Sequence, residues 1–350
     1  MSVQPPSRRS IDPSPSQRVL QIAGLLVRKL ASSLLARAAI SLGLLAFVLW
    51  RIDFEEVRDR FSGWQWGWFA AAVLALLASF TVAALRWHIY LRAAGVALAW
   101  QSSLRAYLVG VFATNLLPSQ FGGDVARTWL GSRPGGRVRA ATTVALDRVT
   151  ALLCLLVISW MFLLFDADEI PGKLAAALAL SSGAALALVA AGTIAATNPG
   201  SRLLPARRRA WWGEVAIVLR ACVRAPAVFW STLGLGFVYE LFVILALWFV
   251  AHGIGLPVKL SVLVVTAPPV LLLSALPVSI AGLGVREGAY ALLLRTVDVG
   301  TSDAVLFSLL ITTAFALATL PGAVAWRDPR RCPLADDEGV SYGRSQGVDP

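Results

Sequence analysis

The chain has 350 residues, of which 57% are hydrophobic and only 15% are charged. Soluble globular domains are nearer ~45–50% apolar, so this composition excludes an ordinary soluble fold and indicates an all-α polytopic membrane protein. The net charge of +11 does not predict nucleic-acid binding, because the basic residues lie in short loops beside apolar segments, where they orient spans and meet anionic lipids.

Eight apolar segments approach the length of about 20 residues that a helix needs to cross a bilayer. The first of them is short and is interrupted by Arg37, which makes it the weakest span. The segments lie at residues 34–50, 66–86, 103–120, 141–165, 174–196, 227–250, 260–277 and 303–326.

The two ends of the chain are predicted to be cytoplasmic and at least partly disordered. Residues 1–33 begin with a stretch rich in Pro, Ser and Arg, and residues 327–350 are mostly polar. Basic residues flank the first and last apolar segments, which the positive-inside rule assigns to the cytoplasm. Residues 34–326 are the predicted membrane domain.

One broken stretch occurs twice in the apolar part of the chain. Residues 117–127 read LPSQFGGDVAR and residues 276–286 read LPVSIAGLGVR. The matching positions are Pro118 with Pro277, Gly123 with Gly282, and Arg127 with Arg286. Proline and glycine interrupt a helix and leave backbone groups without partners, which lipid cannot satisfy. Paired interruptions of this kind indicate a transporter site. The simpler interpretation is two ordinary kinked helices.

The distribution of charge favours re-entrant hairpins at both stretches. If residues 103–118 crossed the membrane fully, the basic loop containing Arg133 and Arg139 would lie outside, against the positive-inside rule. Three full spans separate the two stretches, so the second hairpin enters from the opposite side. The prediction is six spans and two oppositely inserted hairpins in an inverted repeat; the alternative is eight plain spans.

Ionisable residues at membrane depth are costly and usually face a cavity or a partner. Several of them also have a simple structural interpretation: Asp147 and Arg148 in headgroups, Glu240 in a buried hydrogen bond, and Arg286 with Glu287 as an internal pair. The candidates are Asp124, Arg127, Asp147, Arg148, Glu240, Arg286 and Glu287.

The broken helices also predict an anion site. The first backbone N–H groups of a half-helix are unpaired and carry partial positive charge. Glycines would let a phosphate approach these groups, and Arg127 or Arg286 could then bind it through two hydrogen bonds. The glycines are Gly122, Gly123, Gly282 and Gly284. No cofactor is predicted, because the three cysteines are scattered and there is no Walker A lysine motif.

Five motifs resemble the membrane region of lysylphosphatidylglycerol synthases and their stand-alone flippase-like relatives, over about residues 35–326. They are Arg86-Trp87, Asn115 with Leu117-Pro118, residues 122–127 (GGDVAR), Leu146-Asp147-Arg148, and residues 276–287 (LPVSIAGLGVRE), which include Ser279. In that family the membrane region is held to move lipids between leaflets, and a separate soluble domain transfers the aminoacyl group. The resemblance implies that the candidate residues line or support a lipid path, and that synthase activity is absent here.

The leading hypothesis is therefore a lipid flippase, or a transporter of a lipid-linked intermediate, in the bacterial cytoplasmic membrane. Its partners would be membrane lipids with anionic or phosphate-bearing headgroups, and no chemistry on the substrate is required. One alternative is a non-transporting partner that recruits an envelope-synthesis or glycosyl-transfer enzyme through the basic loop at residues 202–224. Another is an intramembrane enzyme that uses Asp147 or Glu240, although no nucleophile-base or metal set is recognisable.

Overall fold

The protein is all-helical in the part that its computed structural model describes. Those residues are 63–116, 122–132, 136–197, 206–276 and 282–327, together with Gly43 and Ala46, and they contain no strand. The predicted all-α class is confirmed. The predictions for residues 1–33 and for the tail after Arg327 lie outside the described residues, as does all but Gly43 and Ala46 of the first apolar segment.

The helices of the described part run in the following order. They are α1 (Trp66–Ala93), α2 (Trp100–Leu116), α3 (Gly122–Leu130), α4 (Arg137–Phe165), α5 (Gly172–Thr197), α6 (Ala206–Arg224), α7 (Pro226–Gly253), α8 (Leu260–Ala275), α9 (Val285–Leu294), α10 (Thr301–Ala318) and α11 (Leu320–Trp326). A single 3-10 turn (Arg295–Val297) follows α9.

Five stretches of the described chain are long and apolar enough to cross a membrane. They are α1, α4, Gly172–Ala191 of α5, α7, and Thr301–Trp326, which comprises α10 and α11. Each coincides with one of the predicted apolar segments. The protein is therefore a multi-pass helical membrane protein, as its composition predicted.

Small side chains bring α1 and α7 together along most of their length. Ala72, Ala83 and Ala84 on α1 are fully buried, as is Ala246 on α7. Between membrane helices the gain on association comes from close van der Waals packing, which small residues permit. This central helix pair carries Arg86 and Glu240, two of the charged side chains discussed below.

The first broken stretch lies at the junction of two short helices, α2 and α3, which pack tightly against each other. Gly110 on α2 and Gly123 on α3 lie in direct backbone contact. A Cβ atom added at Gly123 would collide with the carbonyl oxygen of Gly110 and with Oγ1 of Thr114. These glycines are thus required by close approach, and we call α2 and α3 the first helix pair.

The second broken stretch lies at the junction of a similar pair, α8 and α9, which we call the second helix pair. Pro268 and Pro269 lie within α8 and remove two backbone donors. The carbonyl that Pro268 leaves free, that of Val264, accepts a hydrogen bond of 3.0 Å from Oγ of Ser159 on α4. A neighbouring helix thereby satisfies one of the two carbonyl groups that the prolines free, as hydrocarbon surroundings demand.

The connections inside both helix pairs, residues 117–121 and 277–281, lie outside the described residues, and so does Ser279. The second connection ends in a tight turn before α9, where Gly282 and Gly284 have φ of +79° and +81°. Side chains with a Cβ atom rarely adopt this left-handed region, so glycine is needed at both positions.

The last long helical stretch is interrupted where α10 ends and α11 begins. Thr319 lies at the junction, and its Oγ1 accepts a hydrogen bond of 2.7 Å from Nδ2 of Asn115 at the end of α2. Just beyond it, Gly322 of α11 packs against the backbone of Leu108 on α2. The junction between α10 and α11 is therefore attached to the first helix pair.

Helix α6 has one buried apolar side and one exposed basic side. Val218 and Cys222 are buried against Tyr90 and Ala94 of α1, while Arg220 is exposed on the opposite side. The apolar face of α6 is thus covered by protein.

Replacing Gly123 with alanine is expected to destabilise the protein by about 1–3 kcal/mol, because the added methyl group must push α2 and α3 apart. The control is Gly183→Ala in α5, where a Cβ atom would meet nothing within 4 Å. There alanine is expected to be neutral, or to stabilise by up to about 1 kcal/mol through its helix propensity. Thermal unfolding of both variants in detergent measures the difference; equal midpoints would contradict the close packing.

Candidate functional site

An ion cluster lies in the interior between α1, α3 and α4. Asp147 of α4 is 2% exposed and accepts a hydrogen bond of 2.7 Å at Oδ1 from Nε of Arg86 on α1. Its other oxygen, Oδ2, accepts hydrogen bonds of 3.2 Å from both terminal nitrogens of Arg127 on α3. One carboxylate therefore joins three helices through two guanidinium groups.

Aromatic rings surround both buried guanidinium groups. The guanidinium carbon of Arg127 lies 4.5 Å from the ring centre of Tyr107 and 5.2 Å from that of Trp87. That of Arg86 lies 5.2 Å from the ring centre of Tyr239. The negative face of an aromatic ring attracts a cation, and this attraction is stronger where water is excluded. The rings thus help to offset the excess positive charge of two arginines on one aspartate.

The cluster continues from the interior to a more open region through Asp124 of α3. Asp124 lies 3.7 Å from Arg127, and its carboxylate accepts hydrogen bonds of 3.1 Å from Nη2 and Nε of Arg148 on α4. The side chain of Arg148 is 54% exposed, whereas Arg86 and Arg127 are almost fully buried. Three arginines and two aspartates therefore form a chain of alternating charge with a net charge of +1 that ends at an accessible guanidinium.

That accessible end opens into a cavity of about 660 Å³. Leucine, valine, isoleucine, alanine and phenylalanine side chains from most of the long helices form the greater part of its wall. Charged side chains are few among the described lining residues; they are Asp124, Arg148, Glu240 and Arg286. Apolar walls with a small number of charged groups suit an amphiphile with a charged head and hydrocarbon chains.

The second helix pair contributes Arg286 to this cavity. Its Nη1 donates a hydrogen bond of 3.0 Å to Oγ1 of Thr312 on α10, and this is the one partner that the described part of the chain offers its guanidinium. Four of its five N–H donors are thus available to an acceptor in the cavity. Arg286 and Arg148 approach the same space from different halves of the chain.

Glu287 has a structural place beside Arg286. Its side chain is fully buried, and Oε2 accepts a hydrogen bond of 2.6 Å from the backbone N–H of Gly284, while Oε1 accepts one of 3.4 Å from Ser308. The carboxylate therefore caps the start of α9. It also occupies the Gly284 amide, one of the backbone donors that the sequence had suggested for a phosphate.

The predicted site residues separate into three groups. Asp124, Arg148, Glu240 and Arg286 line the cavity, and Arg127 and Asp147 lie behind it in the ion cluster. The others shape the helix starts or their packing: Gly122, Gly123, Gly282, Gly284 and Glu287. Arg127 does not reach the cavity, because Asp147 holds its guanidinium between aromatic rings; Arg148 faces the cavity instead.

Sequence reasoning did not include Arg86, Tyr107 or Tyr239 in the site. Arg86 sits near the end of a predicted span, and an arginine within an apolar segment is itself a signal for a buried partner. The two tyrosines gave no comparable signal, because an aromatic residue in a membrane helix is ordinary core or interface material. Their role depends on tertiary contact with the arginines.

No group of three or more His, Cys, Asp or Glu side chains with the arrangement of a metal site occurs among the residues that the structure describes.

Five long apolar helical stretches, two pairs of short helices and an apolar cavity with a buried ion cluster define a multi-pass α-helical membrane protein. The chain belongs to the family described as the lysylphosphatidylglycerol synthase TM region, whose profile matches residues 34–322 of the 350. This confirms the resemblance that the sequence motifs carry. No curated protein and no solved structure matched the chain.

Proposed function

We propose that this protein moves a lipid with a phosphate-bearing headgroup between the leaflets of the bacterial cytoplasmic membrane. The observation that supports it is the placement of Arg148 and Arg286 in one cavity whose wall is mostly apolar. Both guanidinium groups can donate pairs of hydrogen bonds to phosphate oxygens, and the apolar wall would accompany the acyl chains. The lysylphosphatidylglycerol synthase TM region, to which the chain belongs, is by its description a membrane region in a phospholipid context.

The two arginines would have different roles in headgroup binding. Arg286 uses one donor on Thr312 and can bind a phosphate without losing a partner. Arg148 is bound to Asp124 and would exchange part of this carboxylate for the phosphate. The headgroup would therefore be held first by Arg286 and then by both side chains.

The two helix pairs would act as re-entrant hairpins inserted from opposite sides of the membrane, with both chain termini in the cytoplasm. The short limbs support this arrangement, since α3 has 9 residues and α9 has 10, about half of the ~20 needed to cross. Inverted repeats of this kind place a substrate site near the midplane, which each side reaches in turn. No bond in the lipid is made or broken, and no cofactor takes part.

Lipid translocation by the reconstituted full-length chain tests the proposal. Vesicles of phosphatidylglycerol and phosphatidylethanolamine would carry a trace of phosphatidylglycerol labelled on an acyl chain, and a membrane-impermeant reductant would be added outside. We expect the inner-leaflet probe to become accessible faster than in protein-free vesicles. An equal rate with and without protein, for this lipid and for labelled phosphatidylethanolamine, would contradict the proposal.

A further inference from the structure

Glu240 is a buried carboxylate that the ion cluster does not use. It lies in the middle of α7, is 3% exposed and lines the cavity. No hydrogen bond or ion pair reaches its oxygens from any residue in the described ranges. The cavity wall beside it is apolar and includes Val243, Ile244 and Leu247 of the same helix.

An ionised carboxylate in such a place is expensive. Removing a charged group from water costs several kcal/mol unless partners replace the lost hydration, and a group without partners neutralises instead. Asp147 shows the contrast in this molecule, since two guanidinium groups surround its equally buried carboxylate. Glu240 lacks such donors in the described part of the chain, so binding a proton to its own oxygen neutralises it at the lowest free-energy cost.

One unused donor lies close to Glu240. Nη1 of Arg86 is buried and has no hydrogen-bond partner among the residues that the structure describes, whereas Nε of the same side chain donates to Asp147. This nitrogen lies 3.4 Å from the position of a Cβ atom added at Gly236, one helical turn before Glu240 on the same face of α7. An unpaired buried donor and an unpaired buried carboxylate are thus neighbours.

The other charged and titratable groups around Glu240 come from several helices. Tyr239 precedes it on α7, and Cys154 of α4 interacts with it electrostatically. The same cavity is also lined by Asp124 of α3, Arg148 of α4, and Arg286 and Tyr290 of α9. Among the described residues, Arg86 is the cation that interacts electrostatically with Glu240, and its free nitrogen makes it the natural partner for an ionised Glu240.

We propose that Glu240 is a proton-binding site of the transport cavity, protonated while it faces the apolar space and paired with Nη1 of Arg86 when it loses the proton. In the deprotonation step the O–H bond breaks, the electron pair stays on the carboxylate, and the proton passes to water in the cavity. The link between this step and lipid movement rests on the proposed function; the proton site itself does not.

Such a site would connect proton binding to the ion cluster. An ionised Glu240 would draw Arg86 toward α7 and weaken its hold on Asp147, which also holds Arg127. Arg127 and Arg148 share Asp124, so the change would reach the guanidinium that faces the headgroup. Proton release and headgroup binding would then influence each other through one chain of contacts.

Infrared spectroscopy of the purified full-length protein tests the proton site without any lipid assay. At neutral pH we expect a carbonyl stretch from a protonated carboxylic acid that shifts in D₂O, fades as the pH rises, and is lost in Glu240→Gln. The amide mimics the protonated acid, so this variant should unfold at the same temperature as the original protein. A spectrum without the band at any pH, a band that persists in the variant, or a variant that unfolds earlier would each overturn the proposal.

Glu214→Gln is the matched control. Glu214 lies on α6 outside the spans, and the hydrogen bond from Arg139 holds the pKa of Glu214 below its usual range. It is therefore ionised at neutral pH, and its replacement should leave the band unchanged.

A transport measurement keeps the two proposals apart. With an imposed pH gradient we expect the lipid translocation rate to change in the original protein and in Glu214→Gln, and the Glu240→Gln variant to lose this dependence. A Glu240-dependent infrared band without any translocation would count against the proposed function alone. Translocation whose response to the gradient survives in Glu240→Gln would count against the proton site alone.

Discussion

Replacing Asp147 with asparagine is expected to lower the free energy of unfolding by about 3–5 kcal/mol, the cost of removing one partner from a buried ionic network. Arg86 and Arg127 are 1% and 2% exposed, and the substitution leaves both guanidinium groups without their shared anion. Arg127 cannot turn to water, because Tyr107 and Trp87 enclose its guanidinium group. Arg86 is equally buried. We therefore expect a large fall in the amount of folded protein.

Thermal unfolding in detergent, together with yield from membranes, would measure this effect. Asp168→Asn is the matched control, since Asp168 lies exposed in the turn after α4 and the same chemical change there should alter stability by less than about 0.5 kcal/mol. Arg127→Gln combined with Asp147→Asn should lose less than the sum of the two single changes, because the pair shares one contact. Additive losses would contradict a direct interaction between the two side chains.

Replacing Arg286 with alanine is expected to slow lipid translocation by about ten- to a hundredfold. Hydrogen bonds to charged groups contribute about 1.5–3 kcal/mol, and about 1.4 kcal/mol corresponds to a factor of ten. The folded state should change little, since within the described part of the chain Arg286 makes a single hydrogen bond, to Thr312. Lysine at this position should recover part of the rate, because it restores the charge without the planar pair of donors.

The vesicle assay with labelled phosphatidylglycerol would measure this rate, with Arg220→Ala as the control. Arg220 is exposed on α6 and its Nε donates to the carbonyl of Ala216 in its own helix, so its loss removes a charge without touching the cavity. An Arg286→Ala variant that translocates normally would contradict the headgroup site. If Arg220→Ala also impaired function in cells, the protein would act by recruiting an enzyme through its basic surface.

The span positions could be predicted from the sequence because length and hydropathy alone determine whether a helix can cross a bilayer. The two broken segments could also be predicted, because Pro118 and Gly123 in the first, and Pro277 and Gly282 in the second, interrupt otherwise apolar runs. These features are local, and local chemistry decides them. The first predicted span, residues 34–50, lies mostly outside the described residues. The insertion of the helix pairs as re-entrant hairpins stays a prediction.

The pairing of charges was beyond the reach of local reasoning. Arg86 and Asp147 are separated by 61 residues and meet because α1 and α4 pack together, which no spacing rule reveals. The exchange of roles between Arg127 and Arg148 has the same origin, since the direction of each side chain depends on where its helix docks. The cap formed by Glu287 was visible in principle, because it lies three residues after Gly284 at a helix start.

The junction between α10 and α11 is attached to the first helix pair, so movements at the end of the membrane domain would be transmitted to that pair. Thr319 and Gly322 contact α2, which packs against α3, the helix that carries Asp124 and Arg127. A force on the chain beyond Trp326, from a docked protein or a bulky fluorescent tag, would be transmitted to α2 and through it to α3, whose Asp124 lines the cavity. Probes for kinetic work should therefore be attached elsewhere, for example at the exposed Asp168 in the turn between α4 and α5.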